Sequence, residues 1–247
     1  MRPALPSSES DVLESSSTGR VMKKAFALSS LGYGAGRAIR NLLLALLFGS
    51  STAVAEQVTI AALGDSLTAG YGLTPENGFV PVLQRWLDGQ GAEVVIVNAG
   101  VSGDTTAGGL ARLDWTLTPE IDGLVVALGA NDYLRGLDPS VARANLAGIL
   151  EGARDRGVEA MLIGINVGSN YGPEYKAQFD AIYTELAAEF DVPLYPSWFA
   201  GIMAVSGMQE GMTEFLQSDG LHPNAEGVRI IVDAVGPAIL DFAQTVD

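Results

Sequence analysis

Five short runs of apolar residues, separated by segments with helical periodicity, constrain the fold of this chain more than any other feature. They occupy residues 58–63, 94–97, 124–128, 161–165 and 192–195. A run that is apolar at consecutive positions suits a strand buried on both faces, as in a parallel sheet, whereas a strand with one wet face alternates. Between the runs, Phe79, Val82, Leu83, Trp86 and Leu87 follow the i, i+3, i+4, i+7 spacing of one helix face. Ala142, Leu146, Ile149, Leu150 and Ala153 do the same, as do Phe179, Ile182, Tyr183, Leu186 and Phe190. Val228, Ile231, Val232, Val235 and Ile239 close the chain in that pattern. Asp138 before Pro139 reads as an N-cap followed by proline at the first helical position, and Asn224 can cap the last helix. Five strands alternating with helices predict an α/β protein: a three-layer α/β/α sandwich around a five-stranded parallel sheet. In such sheets ligands bind outside the carboxyl ends of the strands.

Polar clusters fall at those ends. The first run passes into Gly64-Asp65-Ser66-Leu67-Thr68, the second into Asn98 through Asp104, and the third into Gly129-Ala130-Asn131-Asp132. The only histidine, His222, stands just before the last helix in Ser218-Asp219-Gly220-Leu221-His222-Pro223.

Ser66 taken by itself reads most simply as a helix cap. His222 changes that balance, because a serine hydroxyl is a poor nucleophile until a base removes its proton. Asp219 lies three residues earlier, across a turn with Gly220, within reach of the imidazole Nδ1–H. Acyl transfer also needs donors for an oxyanion. Gly103 has no side chain to keep a carbonyl from its amide, and Asn131 offers a neutral NH₂. Each residue has an ordinary structural explanation singly, a turn glycine or a capping amide, but together on one rim they describe an acyl-transfer site. Two other classes stay open. One is a sugar-directed enzyme, either a glycosidase using Asp65, Asp132 or Asp219 as paired acids or a deacetylase. The other is a non-catalytic binding module on the same kind of sheet.

These blocks resemble the four signature blocks of the GDSL/SGNH serine hydrolases. Segments 64–72, 97–112, 128–136 and 189–194 look most like the bacterial periplasmic acyl-CoA thioesterase I / lysophospholipase L1 / arylesterase branch. The resemblance implies a flavodoxin-like sheet, the SGNH hydrolase fold, and cleavage of ester or thioester bonds without a cofactor or metal. It implies Ser66 as nucleophile, His222 as base and Asp219 as its orienter, with an oxyanion hole from the Ser66 amide, the Gly103 amide and the Asn131 side chain. It also implies that residues 133–138 close over substrate as a mobile loop. Tyr133 stands where that branch commonly has a small residue, and Asp65, Tyr133 and Leu134 are expected to meet substrate. Residues 201–212, with three methionines, are a candidate apolar lip or ordinary packing.

Composition trims the alternatives. From Glu56 onward there are eight Lys and Arg against 26 Asp and Glu, and that acidic body repels phosphate backbones, so nucleic acid is not an expected partner. There is no cysteine, which excludes disulfides, thiolate metal sites and a cysteine nucleophile. Before Glu56 the pattern changes. Lys23, Lys24, Arg37 and Arg40 precede an apolar stretch over 42–48 and then Ala53-Val54-Ala55, the layout of a secretory signal peptide, with Met22 as an alternative start. The apolar stretch is too short to span a bilayer, so stable membrane insertion is not expected. The expected organisation is thus an N-terminal extension and signal peptide over 1–55 and one hydrolase domain over 56–247. The expected product is an exported, periplasmic monomer acting on small acyl esters or lipid-like substrates. Gly32-Tyr33-Gly34-Ala35-Gly36 follows no strand and lacks the spacing of a dinucleotide loop.

Overall fold

The computed structural model describes residues 57–206 and 211–246. The signal peptide, the alternative start at Met22 and the glycines at 32–36 lie outside the described residues.

Five parallel strands form one sheet: β1 (Val58–Gly64), β2 (Val94–Gly100), β3 (Gly123–Ala127), β4 (Glu159–Ile163) and β5 (Leu194–Tyr195), in the order β2-β1-β3-β4-β5. This is the 2-1-3-4-5 order of flavodoxin-like sheets, whose direction of winding reverses between β1 and β3. The apolar runs of β1 and β3 are strands covered on both faces. All five residues of β3 are buried, and Ile60 to Leu63 of β1 are at most 3% exposed. β5 is shorter than its run suggests. Pro193 has no N–H to give the ladder, and only its carbonyl pairs, accepting from Leu162 N.

Helices cover the sheet on both sides. The chain runs through α1 (Ser66–Ala69), α2 (Phe79–Gly89), α3 (Thr106–Ala111), α4 (Leu113–Thr116), α5 (Ala130–Leu134), α6 (Pro139–Arg154), α7 (Pro173–Phe190), α8 (Ala200–Ser206) and α9 (Ala225–Ala243). One layer packs α2 and α8 against α9, and the other packs α3 and α7 against α6. The apolar stripes read from the sequence are the buried faces: Phe79, Leu83 and Leu87 in α2, Leu146 and Ile149 in α6, Val228 through Ile239 in α9. Asp138 accepts from Ser140 N at the start of α6, and Asn224 accepts from Glu226 N and Gly227 N at the start of α9, so both expected caps are in place. Among the described residues no helix is long and apolar enough to cross a membrane.

Because β1 and β3 are neighbours and β2 flanks β1, the three segments that leave their carboxyl ends are gathered at one edge of the sheet. That edge carries Ser66, Gly103 and Asn131.

Candidate active site

Asp65 and Ser66 form the turn that follows β1. The capping task that the sequence assigns to Ser66 belongs to Asp65, whose Oδ1 accepts from Leu67 N at 3.0 Å. That substitution of roles leaves the Ser66 hydroxyl for another partner. Its Oγ lies 2.8 Å from His222 Nε2. The imidazole Nδ1 lies 2.7 Å from Asp219 Oδ2, while Asp219 Oδ1 accepts from the backbone N–H groups of Leu221 and His222 at 2.9 and 3.0 Å. These amides and the imidazole hold the Asp219 carboxyl down at about 2, so it is ionised and accepts only. Nδ1 must therefore carry the proton given to Asp219, and Nε2 is left as the acceptor facing Ser66 Oγ–H. The geometry is that of a nucleophile, a base and an orienting acid in series.

Asn131 opens α5 and points its amide at Asp65, Nδ2 donating to Oδ2 at 3.1 Å. An NH₂ has two hydrogens. One is engaged by Asp65, and Asn131 is among the residues lining the cavity above Ser66. Asp65, expected from sequence to meet substrate, is among the residues lining the cavity, yet it is 1% exposed and both its oxygens are engaged, by Leu67 and Asn131. It sits beneath the reacting atoms and bears on them through Asn131. Burial is the main reason its carboxyl is pushed up to about 6, against the opposing hydrogen bonds from Leu67 and Asn131.

Gly103 has φ +86, a left-handed conformation that a side chain disfavours; space is not the constraint, since the nearest atom to an added Cβ is Arg135 Nη2 at 3.7 Å. Two arginines brace this part of the rim. Arg135 Nη2 donates to Gly103 O at 2.6 Å. Arg112 donates from Nη2 to Gly64 O at 2.9 Å and from Nε to Asp104 Oδ2 at 2.6 Å, tying the end of β1 to the loop after β2. Below them Asp132, fully buried, takes the Thr106 N–H at 2.8 Å and the Thr106 hydroxyl at 2.6 Å, and Asn145 donates to the same hydroxyl. The paired-acid reading of Asp65 and Asp132 meets this obstacle: each is buried with both oxygens occupied by groups of the fold.

A cavity of about 890 Å³ opens above Ser66, large enough for a drug-sized ligand. Tyr133, Leu134, Ile165, Val167, Phe199 and Met203 supply much of its apolar wall. Tyr133 packs edge-on to Tyr171 and near Tyr175 and Phe179. Two of these rings also hold the 133–138 segment: Tyr171 Oη donates to Leu134 O at 3.3 Å and Tyr175 Oη to Leu137 O at 2.8 Å. Of the three methionines in 201–212, Met203 lines the cavity, and the side chains of Met208 and Met212 lie outside the described residues. Among the described residues no group of three or more His, Asp or Glu could hold a metal ion.

The sequence reading misses several residues of this site. Arg112, Arg135, Tyr171 and Tyr175 act through backbone carbonyls or ring packing, which leave no spacing signature. Tyr71 lies inside a block already singled out and Gln217 stands just before the 218–223 segment, and only their contacts give them a role.

The model of the GDSL-like lipase/acylhydrolase family matches residues 62–230, spanning the Ser66 turn and His222. The chain is 39% identical to Esterase TesA of Pseudomonas aeruginosa over 79% of this chain and 94% of that protein. It is 36% identical to Thioesterase 1/protease 1/lysophospholipase L1 of Escherichia coli over 71% of this chain and 80% of that protein. The crystal structure of esterase EstA from a Pseudoalteromonas species, inhibited by monoethylphosphonate, superposes with a TM-score of 0.68 at 32% identity, covering 75% of this chain and 98% of that one. The chain belongs to the GDSL-like lipase/acylhydrolase family, and it is a hydrolase of ester or thioester bonds.

Proposed function

We propose that Ser66 attacks the acyl carbonyl carbon of a carboxylic ester or thioester while His222 Nε2 takes the hydroxyl proton. The carbonyl oxygen becomes an oxyanion held by the Ser66 amide, the Gly103 amide and the Asn131 Nδ2 hydrogen not given to Asp65. The imidazolium, paired with Asp219, returns its proton to the departing alkoxide or thiolate, leaving an acyl group on Ser66 Oγ. A water then loses its proton to His222 and attacks the acyl carbon; the bond from that carbon to Ser66 Oγ breaks, the imidazolium returns the proton to Oγ, and the acid leaves. The observation that carries this reading is the continuous series Asp219 Oδ2, His222 Nδ1 and Nε2, Ser66 Oγ, at 2.7 and 2.8 Å.

Tyr133 and Leu134 form the acyl wall in this reading, and the ring of Tyr133 limits the chain length accepted. Residues 1–55 serve as an export segment that delivers a periplasmic monomer. N-terminal sequencing of the protein recovered from the periplasm is expected to begin near Glu56, and a product retaining Lys23 and Lys24 would contradict export by cleavage. A serine-directed phosphonate is expected to label the wild type once per chain and to leave Ser66→Ala unlabelled. Labelling of Ser66→Ala at the wild-type rate would reject Ser66 as nucleophile.

A further inference from the structure

The nucleophile and the base come from turns 156 residues apart, and neither turn belongs to the sheet. Something must hold their separation to hydrogen-bond length. One side chain spans the gap. Gln217 Nε2 donates to Tyr71 O at 2.8 Å, on the turn that follows α1, and to Pro223 O at 3.0 Å, next to the histidine. Both partners are carbonyls, so the nitrogen of this amide must be the atom facing them. The backbone of Gln217 joins the same arrangement, its N–H donating to His222 O at 2.7 Å, and Leu216 pairs with Pro223 in an antiparallel bridge. The side chain is packed closely as well: a Cβ on Gly72 would sit 2.2 Å from Gln217 Oε1.

On the nucleophile side, Tyr71 N donates to Ser66 O at 3.1 Å. Its ring lies against the imidazole of His222, with centroids 4.6 Å apart at 38°. Tyr71 is 53% exposed, so the ring is not there to fill the core. A ring in that position attracts the imidazolium that forms when the base takes the serine proton, and it blocks sideways motion of the imidazole.

We propose that Gln217 is a positioning residue that locks the Tyr71 turn to the His222 turn, and that the Tyr71 ring so placed backs His222 during proton transfer. The inference rests on the roles proposed above for Ser66 and His222. Gln217 donates two hydrogens from one nitrogen, to a carbonyl on the Tyr71 turn and to a carbonyl on the His222 turn. Losing it frees the histidine turn to drift from Ser66 while leaving in place the apolar wall of Tyr133, Leu134, Ile165 and Val167 across the cavity, on which substrate binding mainly rests.

The test uses the mature chain and a soluble aryl ester. Gln217→Met keeps the length of the side chain and removes both donors. The expected result is a kcat lower by about ten- to a hundredfold, the scale of a misplacement of order 1 Å, with KM within about twofold. Phosphonate labelling of Ser66 is expected to slow in proportion. Wild-type kcat and labelling rate in Gln217→Met would overturn the proposal, as would a change confined to KM. Should that variant fold poorly, Tyr71 carries the test, because its ring is exposed. Tyr71→Leu is expected to lower kcat about two- to fivefold, while Tyr71→Phe keeps the ring and the wild-type kcat. Equal kcat in Tyr71→Leu and Tyr71→Phe would remove the ring from the proposal. Ser66→Ala run alongside separates the two levels. Its inactivity together with an unaffected Gln217→Met rejects the positioning role and keeps the nucleophile; an active Ser66→Ala rejects the nucleophile itself.

Discussion

Two carboxylates serve the Ser66–His222 pair from opposite environments. Asp65 lies in the floor of the site, 1% exposed, and burial pushes its carboxyl up to about 6. Asp219 lies on an outer turn and is held down at about 2 by two backbone N–H groups and the imidazole. The floor is a buried and half-buried web: Asp65 with Asn131, Thr106 with Asp132 and Asn145, Arg112 with Asp104 and Gly64. The outer turn is exposed from Ser218 to Leu221 and is held by its own short bonds and by Gln217. The difference shows how the work is divided. Groups that meet developing charge belong where they need not reorganise, and the floor supplies them at a cost in stability. The base needs only orientation, which a six-residue turn can give at the surface.

The largest expected effect falls where the two regions meet. Ser66→Ala or His222→Ala is expected to lower kcat on an aryl ester by about 10⁴-fold or more, with the melting temperature little changed. Equal losses in the two variants, and no further loss in the double variant, would show floor and turn acting as one unit. A His222→Ala enzyme with more than a tenth of the wild-type kcat would split them.

On the floor alone, Asn131→Ala removes the proposed oxyanion donor and also the partner of Asp65. A loss of about 10²–10³ in kcat is expected, or about 2.7–4 kcal/mol of transition-state stabilisation. If KM rose instead with kcat unchanged, Asn131 would be holding ground-state substrate.

Asp65 sharpens the contrast most directly, because its effect on stability has the opposite sign from that of Asp219. A carboxyl whose value is raised in the folded state binds more protons there than in the unfolded chain. Its contribution therefore falls as pH rises from 3.8 to about 6, by up to about 3 kcal/mol. Asp219, lowered, contributes stability that is present above the ordinary carboxylate value and is lost only as pH falls toward 2. Asp65→Asn removes the titrating group but leaves one acceptor oxygen for two donors, Leu67 N and Asn131 Nδ2, so it is expected to lower kcat by about tenfold and to weaken the dependence of the melting temperature on pH between about 4 and 8. The acid limb of the wild-type profile should be steeper by one proton, that of Asp65, than the limb of Asp65→Asn. A limb equally steep in both enzymes would remove Asp65 from the acid response.

Much of this division was readable before any coordinates, and unevenly so. The central strands were legible because both their faces are buried, so β1 and β3 are apolar at nearly every position. The four long helices were legible from their stripes. Ser66, Gly103, Asn131, Asp219 and His222 were legible because chemistry restricts the residue type at each place. What stayed hidden was which neighbour does which job. The sequence does not say which of Asp65 and Ser66 caps α1, nor that both Asp65 oxygens are taken up by Leu67 and Asn131. Both gaps have one cause: a sequence names the polar atoms of a turn and is silent on their pairing. Gln217 and Arg135 escaped for a related reason, since they bind backbone carbonyls, which every residue possesses.

The smallest expected effect belongs to the outer turn. Gly220 has φ +68, and a Cβ there would meet nothing within 4 Å. Gly220→Ala therefore tests backbone conformation with no steric complication. Left-handed φ in a residue with a Cβ costs about 1 kcal/mol, so a loss of that order in unfolding free energy is expected, with kcat reduced less than about fivefold. The prediction follows from how the turn is held: Asp219 Oδ1 takes two N–H groups on the far side of Gly220, and Gln217 ties the turn's base to Pro223. Those bonds can impose the strained conformation on alanine, so the energy is lost from the fold while His222 stays on Ser66. A large fall in kcat with unchanged stability would mean that the turn yields instead, and that the base is positioned by Gly220 more than by Asp219 and Gln217.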